Sequence, residues 1–222
     1  MLAEELINAT TPVLRPYDSV GQAVDLMDEY GLRQLALVEE EVYKGLLSED
    51  TLLSLPDDEK QLSDLNLPPN PVHATSFQHI FEVMGIATHY QLDTVPVLDE
   101  DNLYAGTILV SDMISKFANL LGVQEKGAVV VLKMANRDYS LTEISRLVES
   151  NSTKIISSFF SGAEYGALDE ATLTLKLNRT EVSAVVATLE RFGYTVENVF
   201  GNAPVENPDR HRLDLLLRYL ET

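Results

Sequence analysis

A unit of about sixty residues occurs twice in this chain, and a fixed-period repeat limits the possible architecture before any single side chain is considered. The first copy runs Gly31-Leu32-Arg33-Gln34-Leu35-Ala36-Leu37-Val38, an acidic turn, then Gly45-Leu46-Leu47-Ser48-Glu49-Asp50-Thr51. The second runs Gln91-Leu92-Asp93-Thr94-Val95-Pro96-Val97-Leu98, another acidic turn, then Gly106-Thr107-Ile108-Leu109-Val110-Ser111-Asp112. Ala36 to Pro96 is a step of 60 residues and Gly45 to Gly106 a step of 61, so the second hairpin carries one extra residue.

Each copy opens with a short extended segment followed by a helical pattern. In the first, Ser19 with Gln22 three residues later makes a capping box, and Val20, Ala23, Val24 and Met27 recur at helical spacing. Gly31 stops that helix. Leu35–Val38 and Val42–Leu47 flank Glu39-Glu40-Glu41 as two strands of a hairpin, and Ser48 opens a short helix with acidic residues in its first turn. Ile80, Val83, Met84 and Ala87 repeat the apolar face 60 residues on, and Asp112-Met113-Ile114 starts the closing helix of the second copy.

Strand, helix, strand, strand, helix, twice over, with Gly-hydrophobic-hydrophobic ending the last strand, resembles the tandem cystathionine-β-synthase (CBS) motif, a paired regulatory module. The resemblance covers roughly residues 2 to 121. It implies two clefts between the copies that hold an adenosine-containing nucleotide such as AMP, gripped by Gly-h-h-Thr/Ser-x-x-Asp, where h is hydrophobic. A hydroxyl and a carboxylate one helical turn apart can hold a ribose diol, and a helix N-terminus can face phosphate. Each copy keeps half of that signature. The first has Ser48 but Thr51 at the carboxylate position, with Asp50 one residue early, which turns that side chain by about 100° on a helix. The second has Asp112 but Leu109 at the hydroxyl position. On the resemblance, Asp112 takes a ribose hydroxyl, Val95 and Pro96 flank the base, and His73 stands near phosphate or base. Ser48 and Asp112 are equally explained as ordinary helix-start residues, and His73 as a surface histidine beside a proline turn.

After Gly122 the texture changes. Ala128–Leu132, Lys154–Phe160, Ala171–Leu177 and Tyr194–Phe200 read as strands. Ser140-Leu141-Thr142-Glu143 reads as a capping box with Leu141, Ile144, Leu147 and Val148 behind it. Asn178-Arg179-Thr180-Glu181 caps a second helix whose inward face is Val182, Val185, Val186 and Leu189 and which ends at Gly193. Gly162-Ala163-Glu164-Tyr165-Gly166 is a turn between the middle strands. This β-α-β-β-α-β order is ferredoxin-like, and in this company it resembles an ACT domain, a small regulatory fold that binds amino acids and pairs into dimers. The resemblance puts an effector at the loop Asn136-Arg137-Asp138-Tyr139-Ser140, with Asn136 and Asp138 for an amino group and free helix N–H groups for a carboxylate. A simply capped turn explains the loop as well, since Ser140 satisfies the helix end. CBS pairs followed by an ACT-like domain resemble the acetoin-utilisation B type of bacterial regulatory protein.

The expected organisation is therefore α+β: CBS motif 1 over residues 1–60, CBS motif 2 over 61–122, an ACT-like domain over 123–202 and a tail over 203–222. The tail reads as a short helix with a Leu213, Leu216, Leu217, Leu220 stripe.

Charge narrows the partners. Residues 1–122 hold 21 acidic and 5 basic side chains, and residues 123–222 hold 14 and 11. A surface this acidic repels nucleic acid and anionic membranes. It keeps the protein soluble or docks a basic partner. There is no cysteine, so disulfides, thiolate metal sites and cysteine nucleophiles are excluded. The histidines at 73, 79, 89 and 211 have no metal spacing, and neither a Walker loop nor a Gly-x-Ser-x-Gly elbow is present. No signal sequence or membrane span is evident at this level, which gives the expectation of a cytoplasmic, non-catalytic homodimer that senses a small ligand and regulates another protein. The alternative is a constitutive dimeric scaffold whose clefts have degenerated and whose acidic face docks a basic protein.

Overall fold

Ser19 starts the first helix, α1 (Val20–Tyr30), by the two-way exchange expected of it. Its Oγ accepts from the Gln22 N–H at 3.2 Å, and its own N–H donates to Gln22 Oε1 at 2.9 Å. Gly31 ends α1 in the left-handed region at φ 63°. The computed structural model describes residues 1–65, 71–162 and 169–201. The chain divides into two compact units, Met1–Phe117 and one beginning at Ala118.

In the first unit the repeat becomes two matching hairpins. Strand β1 (Gln34–Glu39) pairs antiparallel with β2 (Val42–Ser48), and α2 (Glu49–Leu53) follows. After a short strand β3 (Ala74–Thr75) and helix α3 (Ile80–Tyr90), β4 (Thr94–Leu98) pairs with β5 (Tyr104–Leu109), and α4 (Val110–Leu120) closes the copy. The correspondence extends to backbone strain. Leu37 pairs with Gly45 and Val97 with Gly106 just before a register shift in each hairpin, and the two glycines adopt φ 148° and 150°. A Cβ on Gly106 would collide with Ile7 Cγ2, so this position needs glycine for space as well as for conformation. Leu14, bridged in parallel to Leu37, stands where β3 pairs with β4.

The cores are exchanged relative to chain order. The short 3-10 helix Ala3–Leu6 precedes the first copy yet buries Ala3 and Leu6 among Ile80, Val83, Val95 and Ile108 of the second. Backbone bonds from Ala3 N–H to Gln78 O and from Ile80 N–H to Met1 O hold it there, at 2.9 and 3.1 Å. Conversely, Leu62 precedes the second copy but lies in the core of the first with Leu14, Val20 and Met27. Its N–H donates to Asp18 O at 2.9 Å. Each copy is thus completed by the segment that leads into the other. Neither exposes a finished hydrophobic core alone.

The second unit has one antiparallel sheet of four strands, β6 (Val129–Ala135), β7 (Ile155–Ser161), β8 (Glu170–Leu177) and β9 (Thr195–Phe200), in the order β7-β8-β6-β9. Alternation decides which face is covered. Val130, Leu132, Met134, Ala171, Leu173, Leu175 and Leu177 point to one side, where α5 (Leu141–Glu149) and α6 (Ser183–Arg191) bring Ile144, Leu147, Val148, Val185 and Leu189.

Two expected caps differ. Ser140 Oγ accepts from the Glu143 N–H at 3.4 Å, but the Glu143 carboxylate accepts from the Tyr194 hydroxyl at 3.0 Å, because that phenol is packed against the same helix start. Helix α6 begins at Ser183, with Val182 at its N-cap and no side-chain capping bond from that residue. The Asn178–Glu181 run stands before the helix, and Glu181 Oε1 accepts from the Ser183 N–H at 3.0 Å. The turn expected at 162–166 runs past Gly162 outside the described residues, and so does the tail over 203–222. Among the described residues no helix is long and apolar enough to cross a membrane.

Candidate functional site

Asp112 lies in the first turn of α4, half-buried, and its Oδ2 accepts from Asn8 Nδ2 at 2.7 Å. Asn8 reaches it because the leading segment runs antiparallel beside β5: Asn8 bridges Thr107, and its N–H donates to Thr107 O at 2.9 Å. The other end of the amide is also used. Asn8 Oδ1 accepts from the Thr10 N–H at 2.9 Å and from Thr10 Oγ1 at 2.7 Å, which folds the chain into a tight turn. Beside it, Thr11 Oγ1 is sealed from solvent with no hydrogen-bond partner among the described residues. Pro96 pairs with Thr107, so Pro96, Thr107 and Asn8 form one row across the sheet that leads to Asp112. Val95 alternates to the other face and is fully buried in the core of the second copy, and Pro96 is buried too.

Ser48 and Thr51 occupy the corresponding place in the first copy. Ser48 caps α2, accepting from the Thr51 N–H at 3.3 Å, and the two hydroxyls lie 2.7 Å apart. They satisfy each other and form no acidic centre. His73 lies against the start of β2. Its ring meets Tyr43 of β2 edge-on at 6.1 Å, and its Nδ1 lies 2.6 Å from Pro71 O. The Tyr43 hydroxyl donates to Val72 O at 2.8 Å, and burial drives this phenol well above its ordinary range. His73 and Asp112 therefore have separate sets of partners.

Near the first copy a cleft of about 600 Å³ is lined by Arg15, Tyr17, Val38, Glu39, Gln61 and Ser63. Arg15 is one of only five cations in residues 1–122. Nothing in the repeat marked this place, because the second copy has Thr75 and Phe77 at the equivalent positions.

In the second unit the loop expected to hold an effector is a 3-10 turn, Asn136–Asp138, leading through Tyr139 to Ser140 at the start of α5. Asn136 and Asp138 are exposed. Tyr139 stacks on Phe160 with ring centres 4.2 Å apart, and Ser140 is used as the cap. A cavity of about 480 Å³ beside this loop is lined by Asp138, Lys133, Glu143, Gly193, Tyr194 and Thr195, among others. Of the four loop residues singled out, only Asp138 reaches it. Burial and the Glu143 carboxylate push the Tyr194 phenol up to about 12. Its role was hidden in the sequence because Glu143 and Tyr194 are 51 residues apart. Among the described residues no group of three histidine or carboxylate side chains is placed to hold a metal ion.

With this geometry in view, comparison with known proteins defines one part of the chain. Residues 3–58 match the family model of the CBS domain, so the chain carries a CBS domain there. Over 149 residues it is 20% identical to inosine-5'-monophosphate dehydrogenase of Methanocaldococcus jannaschii, a match covering 67% of this chain and 30% of that enzyme. The chain thus spans less than a third of the length of that curated relative. Similar solved structures include a CBS domain pair/ACT domain protein from Thermotoga maritima, with 16% identity and a TM-score of 0.49 over 55% of this chain and 99% of that one. Another is CBSX2 in complex with AMP, with 18% identity and a TM-score of 0.47 over 53% and 96%. Likenesses this low do not carry either protein's ligands to this chain.

Proposed function

We propose that this protein is a non-catalytic regulatory module in which the first unit senses an adenosine-containing ligand, AMP or a close relative, at Asp112. The observation behind this reading is the meeting of Asn8 and Asp112. A carboxylate and an amide meet there at the start of a helix, and both are groups that a ribose diol can engage. Residues 61–122 then act as a second CBS motif, and Asn8, from the segment leading into the first copy, supplies part of its cleft. The strongly acidic first unit disfavours a triphosphate, so a monophosphate or nucleoside fits better.

On this reading the second unit is an ACT-type domain with Asp138 at its effector end. The protein works as a cytoplasmic homodimer whose geometry changes when ligand binds, and an unidentified regulated protein reads that change. Protein isolated from its own host is the direct sample: release of a compound absorbing at 260 nm, with the mass of an adenosine derivative, supports the sensor. Ligand-free protein that also fails to bind added nucleotide overturns it.

A second reading is favoured by the state of the clefts themselves. Ser48 is satisfied by Thr51 and Asp112 by Asn8, as in a constitutive scaffold whose sites have closed. The acidic face of the first unit would then dock a basic protein, and capture of that partner must weaken as salt rises.

A further inference from the structure

In the second unit the loop leading into β6 and the loop leaving β8 run side by side. Leu177 N–H donates to Ala128 O at 2.8 Å, and Ala128 N–H donates to Arg179 O at 2.7 Å. Gly127 packs so closely on Leu177 that any Cβ there would collide with the Leu177 carbonyl oxygen, so the path of the backbone next to Lys126 is fixed. Beyond this point the two loops and the start of α6, with Asn151 and Thr153 from the connection after α5, line a cavity of about 490 Å³. Its lining includes two cations, Lys126 and Arg179, with Asn178, Thr180 and Glu181.

Both cations are exposed, and among the described residues neither makes an ion pair. Two cations facing one concavity attract an anion that enters it. Glu181, the one carboxylate in the lining, is already engaged. It accepts from Ser183 through both backbone and side chain, which holds it below the usual carboxylate range. Asn178 is half used: its Oδ1 accepts from the Lys154 N–H at 2.8 Å, and among the described residues its Nδ2 group is free to donate. We infer that this cavity is a binding site for a small phosphate-bearing molecule, with Arg179 supplying a two-pronged contact, Lys126 a point charge, and Asn178 and Thr180 the neutral donors. The volume suits a small metabolite. This site lies at the end of the sheet where β8 finishes, whereas Asp138 follows the end of β6, and the inference does not depend on ligand binding at Asp112.

The test is an amide proton–nitrogen correlation titration of the full chain with inorganic phosphate at constant ionic strength, with chloride as the control. Saturable shifts at Gly127 and Ala184, with a dissociation constant on the order of millimolar, are expected. The Lys126→Ala/Arg179→Ala variant should bind about tenfold or more weakly, since both charge-assisted contacts are lost. The two side chains are exposed, so the variant should keep the dispersed spectrum of the folded protein, and Asp112→Ala should bind phosphate as the parent does. Absence of saturation at tens of millimolar phosphate, or equal binding by the double variant, overturns the assignment.

Discussion

Arg33 and Asp93 occupy the same position in the two copies, sixty residues apart, and they hold each other. Arg33 Nε lies 2.6 Å from Asp93 Oδ2 and Arg33 Nη2 lies 2.8 Å from Asp93 Oδ1, a two-pronged pair. Two equivalent positions can touch only beside the axis that relates them, so this pair marks the twofold of the repeat. Its neighbours agree. The Asp93 N–H donates to Gln34 Oε1 and Thr94 Oγ1 donates to Gln34 O, linking the next equivalent positions, 34 and 94.

The swap of charge across this axis is a direct test. Arg33→Asp alone should lower the melting temperature of the first unit, because it places two carboxylates together near Glu49 and Asp50. The double variant Arg33→Asp/Asp93→Arg should regain most of the loss, since the exchanged pair sits in an equivalent frame. The hydrogen bond from Arg33 holds the Asp93 carboxyl below its ordinary range. Its contribution is therefore present above the unfolded value near pH 4 and is lost as pH falls through the depressed folded value. Melting curves of the parent and Asp93→Asn should converge below that window, and high salt should narrow their difference at pH 7.

Exchange of the leading segments predicts damage at a distance in sequence. Leu6 is 1% exposed and lies in the second copy's core. Leu6→Ala should cost about 2–5 kcal/mol by creating a cavity. Hydrogen exchange should quicken first in α3, β4 and β5, although residues 7–60 stand between Leu6 and that copy. Faster exchange confined to α1 and β1 would contradict the exchange.

The repeat also exposes a place where the second copy is strained. Gly31 and Gln91 end α1 and α3 in the same left-handed conformation, at φ 63° and 53°. Glycine takes this shape freely, and a side chain adds about 1 kcal/mol. Gln91→Gly should therefore raise stability by roughly that amount in urea unfolding. The long 3.5 Å contact from Gln34 Nε2 reaches the Gln91 carbonyl, which the substitution keeps.

For Tyr194 the pH dependence has the opposite sense to that of Asp93. Its folded value is raised to about 12, so its stabilising effect is complete below the unfolded value near 10 and disappears as pH climbs from there to about 12. Tyr43 and Tyr104 are also raised by burial, so the signal is the absorbance at 295 nm lost in Tyr194→Phe, and that difference should have its midpoint near 12. A midpoint near 10 would mean that Glu143 and burial do not act on it.

Most of the fold could be read from local pattern. The Ser19–Gln22 box, the stop at Gly31, both hairpins and the alternating β6 and β8 strands are decided by residues within a few positions of one another. The exchanged segments were not legible, because Ala3 and Leu6 look like the start of any amphipathic turn until Ile80 and Val83 are beside them. At the candidate site the sequence singled out Asp112, but Asn8, 104 residues away, had no signal of its own. Val95 followed from family pattern as a base contact, but β4 is buried along its whole length, and Val95 packs in the core of the second copy. Glu143 looked like a capping partner, and a tyrosine 51 residues further along the chain takes its carboxylate instead.

The sensor reading stands on Asp112, and calorimetric titration with AMP addresses it most directly. The full chain should release or absorb measurable heat with a saturable, one-site curve, and Asp112→Ala should weaken binding by about tenfold or more, as expected for loss of hydrogen bonds to a charged group. Equal affinity of parent and variant, or no heat and no thermal shift at millimolar AMP, would contradict a ligand site at Asp112.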